Sequence, residues 1–284
     1  MKVVVFGAQG QVGMAALETA KRVGSDVAGF SHQACDIRDP GAIKMALQSV
    51  GTGDIVINAA ARLGTEEAQH DPSAQFETNV QGAMLVALAA RRAGAAIVHF
   101  STDYVFDGTK PTAYVESDLP NPVNAYGALK LASEAAVCAA NPQHYILRIA
   151  SAFGQAERSS KGLNFVDRML QATRSNASVE VDDVITMSPT FAVDAVAVAF
   201  ALVQRAAPFT VYHAANAGAC TWREFAAAIF TLAGLSCEAR ARVSSVDPIP
   251  RPRNSALTSE RLPALGIATP PWRDALARYL ASKR

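Results

Sequence analysis

Tyr126, Lys130 and Thr102 are residue types that together could carry out redox chemistry on a carbonyl. Tyr126 and Lys130 stand four residues apart in Asn124-Ala125-Tyr126-Gly127-Ala128-Leu129-Lys130, and Thr102 closes an apolar, strand-like run upstream. On a helix, side chains at i and i+4 emerge on one face with Cβ atoms about 5–6 Å apart. A phenol with an ordinary pKa near 10 gives or takes a proton reluctantly at neutral pH. A close ammonium stabilises the phenolate and lowers that value by roughly one to three pKa units, so Lys130 is expected to depress Tyr126. Lys130 can also hydrogen-bond a nicotinamide ribose, while Thr102 holds a substrate carbonyl oxygen. The reaction these roles describe is hydride transfer between a nicotinamide and a carbonyl.

The cofactor half of that chemistry has its own signature. Gly7-Ala8-Gln9-Gly10-Gln11-Val12-Gly13 follows the first strand-like run and opens a helical stretch. Gly7 allows a tight turn, Gly10 lets the backbone approach a pyrophosphate, and Gly13 permits close helix–strand packing. The free amides and dipole of the helix start favour a diphosphate. Ala59-Ala60-Ala61, just past the third strand, offers a small-residue wall that a cofactor can approach. A carboxylate ending the second strand would hold ribose hydroxyls and favour NAD. Here that strand ends Phe30-Ser31-His32, with Asp36-Ile37 slightly later, where the pair could border the adenine. No arginine stands at the strand tip. The cofactor reading is NADPH, with NADH also accommodated.

The elements that must position these residues are legible as alternation. Strands are expected at Lys2-Phe6, Asp26-Phe30, Asp54-Asn58, Ala95-Ser101 and His144-Ala150. Helices are expected near Gln11-Val23, Gly41-Val50, Pro72-Ala93 and Ala125-Ala140. Near-continuous apolar strands separated by helices indicate a parallel sheet covered on both faces. The fold class is therefore α/β, a doubly wound parallel Rossmann sheet. Gly7, Asn58 and Thr102 then share the carboxyl ends of the strands, where such sheets bind ligands. After Ala150 the chain loosens into small and polar residues through Gly162. It continues with a helix (Leu163-Thr173), a strand (Ser178-Asp182), an apolar helix (Phe191-Arg205), a strand (Thr210-Ala215), a helix (Thr221-Gly234) and the proline-rich stretch Asp247-Pro252. The expected division is a dinucleotide-binding domain of 1–150 plus 184–215, and a smaller discontinuous substrate lobe of 151–183 plus 216–284.

Composition narrows the partners. The 284 residues carry 26 Lys and Arg against 25 Asp and Glu, a net charge of +1 that gives no electrostatic case for nucleic acid or membrane binding. Cys35, Cys138, Cys220 and Cys237 form no CxxC, and no His/Cys/Asp cluster has metal-ligand spacing, so no metal is expected. The longest apolar run, near Ala195-Val203, is short of the roughly 18 residues a bilayer span needs. Met1-Lys2 leads directly into the first strand without room for a signal peptide, so a cytoplasmic protein is expected.

At this point the residues resemble a known family. The chain is similar to extended short-chain dehydrogenases/reductases, in the dTDP-4-dehydrorhamnose reductase branch. The likeness runs nearly end to end. It covers Val4-Val5-Phe6-Gly7 through Gly13, Asn58-Ala59-Ala60-Ala61, Phe76-Glu77-Thr78-Asn79-Val80 and Ser101-Thr102-Asp103-Tyr104-Val105-Phe106-Asp107-Gly108. It continues through Asn124-Ala125-Tyr126-Gly127, Asn164-Phe165-Val166, Ser188-Pro189-Thr190 and Arg251-Pro252-Arg253-Asn254-Ser255-Ala256-Leu257. The resemblance implies Thr102, Tyr126 and Lys130 as catalytic residues. It implies cofactor contacts from Gly10, Gln11, Val12, Asp36, Ile37, Ala59, Ala60 and Ala61 as well as the pair Tyr126 and Lys130. Sugar contacts are implied for Thr102, Asp103, Tyr126, Asn164 and Arg253. The implied reaction is reduction of the 4-keto group of a nucleotide-linked 6-deoxy-hexose, and a homodimer through the helices near Asn79-Ala93 and Ala125-Ala140 is also implied. Ser151 stands where the family usually has a tryptophan, so the sugar pocket is expected to depart from the pattern. A 4,6-dehydratase would place a glutamate after Asp103, where Tyr104 stands. An epimerase keeps the same trio, and a cofactor-binding regulatory subunit shares the fold; both readings stay open on the residues.

Overall fold

Valine, isoleucine and phenylalanine fill the strand interiors so densely that both sheet faces need cover, and the computed structural model provides it. Residues 1–157, 162–174, 177–242 and 249–283 are described. Along the first half the elements are β1 (Lys2–Phe6), α1 (Gln11–Arg22), β2 (Asp26–Phe30), α2 (Pro40–Ala46), β3 (Ile55–Asn58) and α3 (Thr65–His70). Then come α4 (Ser73–Gln75), a π-helical stretch (Phe76–Gly82), α5 (Ala83–Ala93), β4 (Ala96–Thr102), α6 (Ala125–Ala140) and β5 (His144–Ile149). The second half holds β6 (Ala152–Phe153), α7 (Phe165–Ala172), β7 (Ser178–Val181), β8 (Thr186–Met187), β9 (Thr190–Phe191), α8 (Ala192–Gln204) and β10 (Val211–His213). It ends with β11 (Cys220–Thr221), α9 (Trp222–Ala233), β12 (Glu238–Ala241) and α10 (Trp272–Ala281).

Six strands form one sheet in the order β10-β5-β4-β3-β1-β2, with every neighbouring pair parallel. Alternate side chains go to opposite faces. Val3, Val5, Ile55, Ile57, Val98 and Phe100 pack with α1 and α8 on one side. Val4, Phe6, Val56, Ile97 and Ile146 pack with residues of α2, α5 and α6 on the other. This is the doubly wound architecture the alternation predicts. The order reverses between β1 and β3, so the loops after these two strands diverge at the switch point where open α/β sheets take ligands.

A second hydrophobic core gathers Phe153, Val166, Met187, Phe191, Phe225, Trp272 and Tyr279 from β6 through α10. Leu262 and Ile267, late in the chain, pack instead into the core beneath the main sheet. Among the described residues, α3, α10, β12 and the two-residue strands β6, β8, β9 and β11 have no counterpart in the sequence expectations. The expected single helix Pro72-Ala93 is continuous but passes through the π-helical stretch. Residues 158–161 of the small polar run, and 247–248 of the proline-rich stretch, lie outside the described residues.

Candidate active site

The glycine loop sits against the loop that leaves β3. Gly7 has φ +79°, and a Cβ there would lie 2.5 Å from the Ala60 nitrogen and 2.6 Å from the Ala59 carbonyl carbon. Only glycine lets the two loops touch. Phe30 carbonyl accepts from Gly7 N (3.0 Å) and Ala8 N (3.1 Å), which brings the tip of β2 to the same place. The close contact at Gly13 is to the loop: its Cβ would meet Gly7 O at 2.1 Å. Helix α1 starts at Gly10 without a side-chain cap, and a Cβ on Gly10 would meet only Gly7 O, at 3.4 Å. The uncapped helix start, with part-exposed Gln11 and Val12, fits a dinucleotide diphosphate. Ala59, Ala60 and Ala61 are part-exposed beside it.

Asp36 and Ile37 follow a turn from the β2 tip. The Ile37 side chain is buried in the core. Asp36 is clamped by Arg38, with Nε at 3.0 Å from both carboxylate oxygens and Nη2 2.6 Å from Oδ2. That hydrogen-bonded guanidinium holds the Asp36 carboxyl below its ordinary range. Arg38 also reaches Glu77 Oε2 at 3.3 Å. The strand tip indeed carries no arginine, but one stands two residues beyond Asp36.

Thr102 is the last residue of β4. Its Oγ1 donates to Asp103 Oδ1 (3.0 Å) and accepts from Tyr104 N (3.2 Å). Asn124 Oδ1 caps α6 by accepting from Gly127 N at 2.9 Å. A Cβ on Gly127 would lie 2.1 Å from Tyr104 O, so the start of α6 is pressed onto the turn after Thr102. Tyr126 is thereby brought beside Thr102 and Asp103, its ring edge-on to Tyr104 at 5.9 Å. The phenol is raised above its ordinary range, first by burial and then by the Asp103 charge, with Thr102 opposing. This corrects the expectation that Lys130 depresses it. A raised phenol keeps its proton, which is the form a proton donor needs.

Lys130 lies on the same face one turn on, and burial lowers its ammonium to about 8. Its Nζ donates to Phe100 O at 2.8 Å. Burial pushes the Asp103 carboxyl up to about 6, opposed by Ser255 and Thr102. Asp103 Oδ2 and Ser255 Oγ are both buried.

The other expected sugar residues are spread out. Arg253 is exposed, and its carbonyl accepts from Thr186 N at 2.8 Å. Asn164 uses its side chain inside the second lobe: Oδ1 caps α7 through Asp167 N (3.0 Å), and Nδ2 reaches Gly154 O (3.0 Å) and Tyr279 Oη (2.9 Å). Ser151, at φ +43°, is one of two non-glycine residues with left-handed backbone among the described residues.

Behind the trio lies a polar layer that the spacing argument missed. Ser101 Oγ donates to Glu134 Oε1 (2.5 Å), which also receives Arg148 Nε (2.9 Å), while Arg148 Nη2 reaches Oε2 (2.7 Å). This buried ion pair joins α6 to β4 and β5. Asn79, in the π-helical stretch, bonds both backbone groups of Arg62 and so fixes the β3 loop (2.8 and 2.9 Å). His99 and Ser101 interrupt an apolar strand at alternate positions, and Arg148 interrupts another. Polar intruders on one face of a core strand are the signal that could have found this layer.

Comparison with known proteins follows the same lines. The family model described as the RmlD substrate binding domain matches residues 1–284. The chain is 34% identical over 288 residues to the dTDP-4-dehydrorhamnose reductase of Mycolicibacterium smegmatis, spanning 99% of this chain and 85% of that one. The solved dTDP-4-dehydrorhamnose reductase of Clostridium acetobutylicum superposes with a TM-score of 0.92 at 30% identity, covering 100% of this chain and 99% of that one. The Bacillus anthracis reductase, solved in complex with NADP, has a TM-score of 0.92 at 29% identity, with 99% of each chain covered.

Proposed function

The chain belongs to the family of the RmlD substrate binding domain, and we infer from this that it reduces the 4-keto group of a nucleotide-linked 6-deoxy-hexose with NADPH, as a dTDP-4-dehydrorhamnose reductase does. The observation that carries the reading is the meeting of Thr102, Asp103, Tyr126 and Lys130 at the carboxyl end of β4, beside loops that suit a dinucleotide. NADPH, when bound, supplies a hydride for the carbonyl carbon. Thr102 orients the carbonyl oxygen, and Tyr126 gives that oxygen its proton. Lys130, buried and cationic below about pH 8, holds the ribose hydroxyls and offsets charge left on the phenolate.

The diphosphate is assigned to Gly7, Gly10, Gln11, Val12 and Gly13, the adenosine side to Asp36 and Ile37, and the nicotinamide side to Ala59, Ala60 and Ala61. Sugar contacts are assigned to Thr102, Asp103, Tyr126 and Arg253, with Asn164 acting through the loop it anchors. Residues 1–150 plus 184–215 form the dinucleotide half, and 151–183 plus 216–284 the substrate half. We further propose a cytoplasmic homodimer joined through α5 and α6. The test is NADPH consumption against a panel of 4-keto-6-deoxy sugar nucleotides, with NMR of the product. Reduction at C4 of a dTDP-linked sugar is expected; no oxidation of NADPH by any member, together with co-purification of a stoichiometric partner enzyme, would favour a regulatory subunit instead.

A further inference from the structure

We propose that His99, held as a neutral imidazole, is a positioning residue that links the cofactor-side loop after β3 to Lys130 through Asn58 and Ser133. The inference rests on the reductase reading for its purpose, and on hydrogen-bond geometry for its substance.

Asn58 Oδ1 accepts from Ala60 N at 3.2 Å, so its Nδ2 is the atom that faces His99 Nδ1, at 3.3 Å. An amide N–H there requires Nδ1 to accept, which leaves the ring proton on Nε2. Nε2–H then donates to Ser133 Oγ at 3.1 Å, and the Ser133 hydroxyl donates in turn to Lys130 O at 2.7 Å. Each donor in this chain meets an acceptor in one direction only. Asn58, His99, Ser133 and Lys130 are all buried, at 3% exposure or less, so no water replaces a lost link without cost. The Ala59–Ala61 loop and the Lys130 main chain are thus two ends of one relay.

The same ring guards the charge on Lys130. Its Nζ lies 3.5 Å from His99 Nε2 and donates to Phe100 O, so the imidazole bounds the space in which the ammonium can sit. A protonated ring would set two N–H groups against each other at Asn58 and place a second cation beside Lys130. Burial first, and the Lys130 charge second, hold His99 well below its ordinary pKa. Lys130 is the charged group that acts on the ring.

Two measurements decide it. In the cofactor-free protein, 15N NMR of labelled histidine is expected to show His99 with its proton on Nε2 and no titration between about pH 5.5 and 8. With NADPH, His99→Leu and Ser133→Ala are each expected to weaken cofactor binding about tenfold, the scale of one unmade buried hydrogen bond, while the sugar KM stays within about twofold. His99→Gln, which keeps an N–H for Ser133, is expected to regain most of the loss. Should His99→Leu not fold, Ser133→Ala decides the binding arm. An Nδ1–H tautomer, titration near pH 6.5, unchanged NADPH affinity in the folded variants, or equal losses for both ligands would overturn the proposal. A wild-type protein that binds no NADPH would overturn the reductase reading, with the NMR result still judging the relay.

Discussion

Tyr126 and Lys130 reach the same task from opposite electrostatic directions. Burial keeps the phenol protonated and makes the ammonium a stronger acid than its exposed counterpart would be. The lysine is stored at a cost. Its folded value of about 8 lies below the ordinary 10.5, so the fold disfavours the charged form. Stability from this group is complete above the unfolded value and falls away as pH drops toward the folded one, so the penalty is fully in place below about pH 8. Two and a half pKa units correspond to about 3 kcal/mol, offset in part by the bond to Phe100 O. Lys130→Met is therefore expected to abolish turnover yet unfold at higher denaturant at pH 7, by about 1–2 kcal/mol, with the gain shrinking toward pH 10.5. Equilibrium unfolding at several pH values checks it; a variant less stable at pH 7 would contradict it. The YxxxK spacing made both residues legible in the sequence. Their pKa directions were not, because burial and the Asp103 charge come from chain segments far away in sequence.

Helix α6 is placed by contacts at its first turn as well as by its apolar face, where Val137 and Ala140 join the core. Asn124 caps it, also donating to Pro250 O at 3.0 Å, and Gly127 lets it press on Tyr104. Gly127→Ala would drive a methyl into the Tyr104 carbonyl, 2.1 Å away, and overpacking of this kind costs about 1–3 kcal/mol. Because the clash separates Tyr126 from Thr102, kcat is expected to fall at least tenfold while NADPH affinity holds within about threefold. Equal losses in both would mean that the contact only supports the fold. Strands and long helices could be read from the sequence because apolar runs and turn residues mark them. The π-helical stretch could not, since Asn79 is drawn there by Arg62 of a distant loop. Helix α10 had a visible pattern, with Trp272, Ala275, Leu276, Tyr279 and Leu280 buried at helical spacing, but proline flanks obscured it.

At the scale of the molecule, the two hydrophobic cores are held in register by polar ties. Asp194 on α8, packed in the main-sheet core, receives Arg278 of α10 through two bonds (2.9 and 2.7 Å) and Asn216 Nδ2 at 2.6 Å. Gln9 of the glycine loop meets Glu157 of the second half at 3.3 Å. Asp194→Ala is expected to raise the sugar-nucleotide KM several-fold while leaving NADPH affinity near wild type, since the substrate side depends on the lobe's orientation. It should cost about 2 kcal/mol, less than a fully buried pair because Arg278 is 40% exposed. Steady-state kinetics with each ligand varied in turn checks it, and parallel rises in both KM values would count against it. The long-range ties had no sequence signal, because their partners are separated by up to 148 positions. The central claim, that Tyr126 protonates a sugar carbonyl as hydride is delivered to the same group, is tested most directly with deuterated NADPH and a dTDP-linked 4-keto-6-deoxy sugar. The account predicts deuterium at C4 of the product with wild type, and turnover at least about a hundredfold slower in Tyr126→Phe at unchanged NADPH affinity. Deuterium absent from C4, or Tyr126→Phe turning over at the wild-type rate, would contradict it.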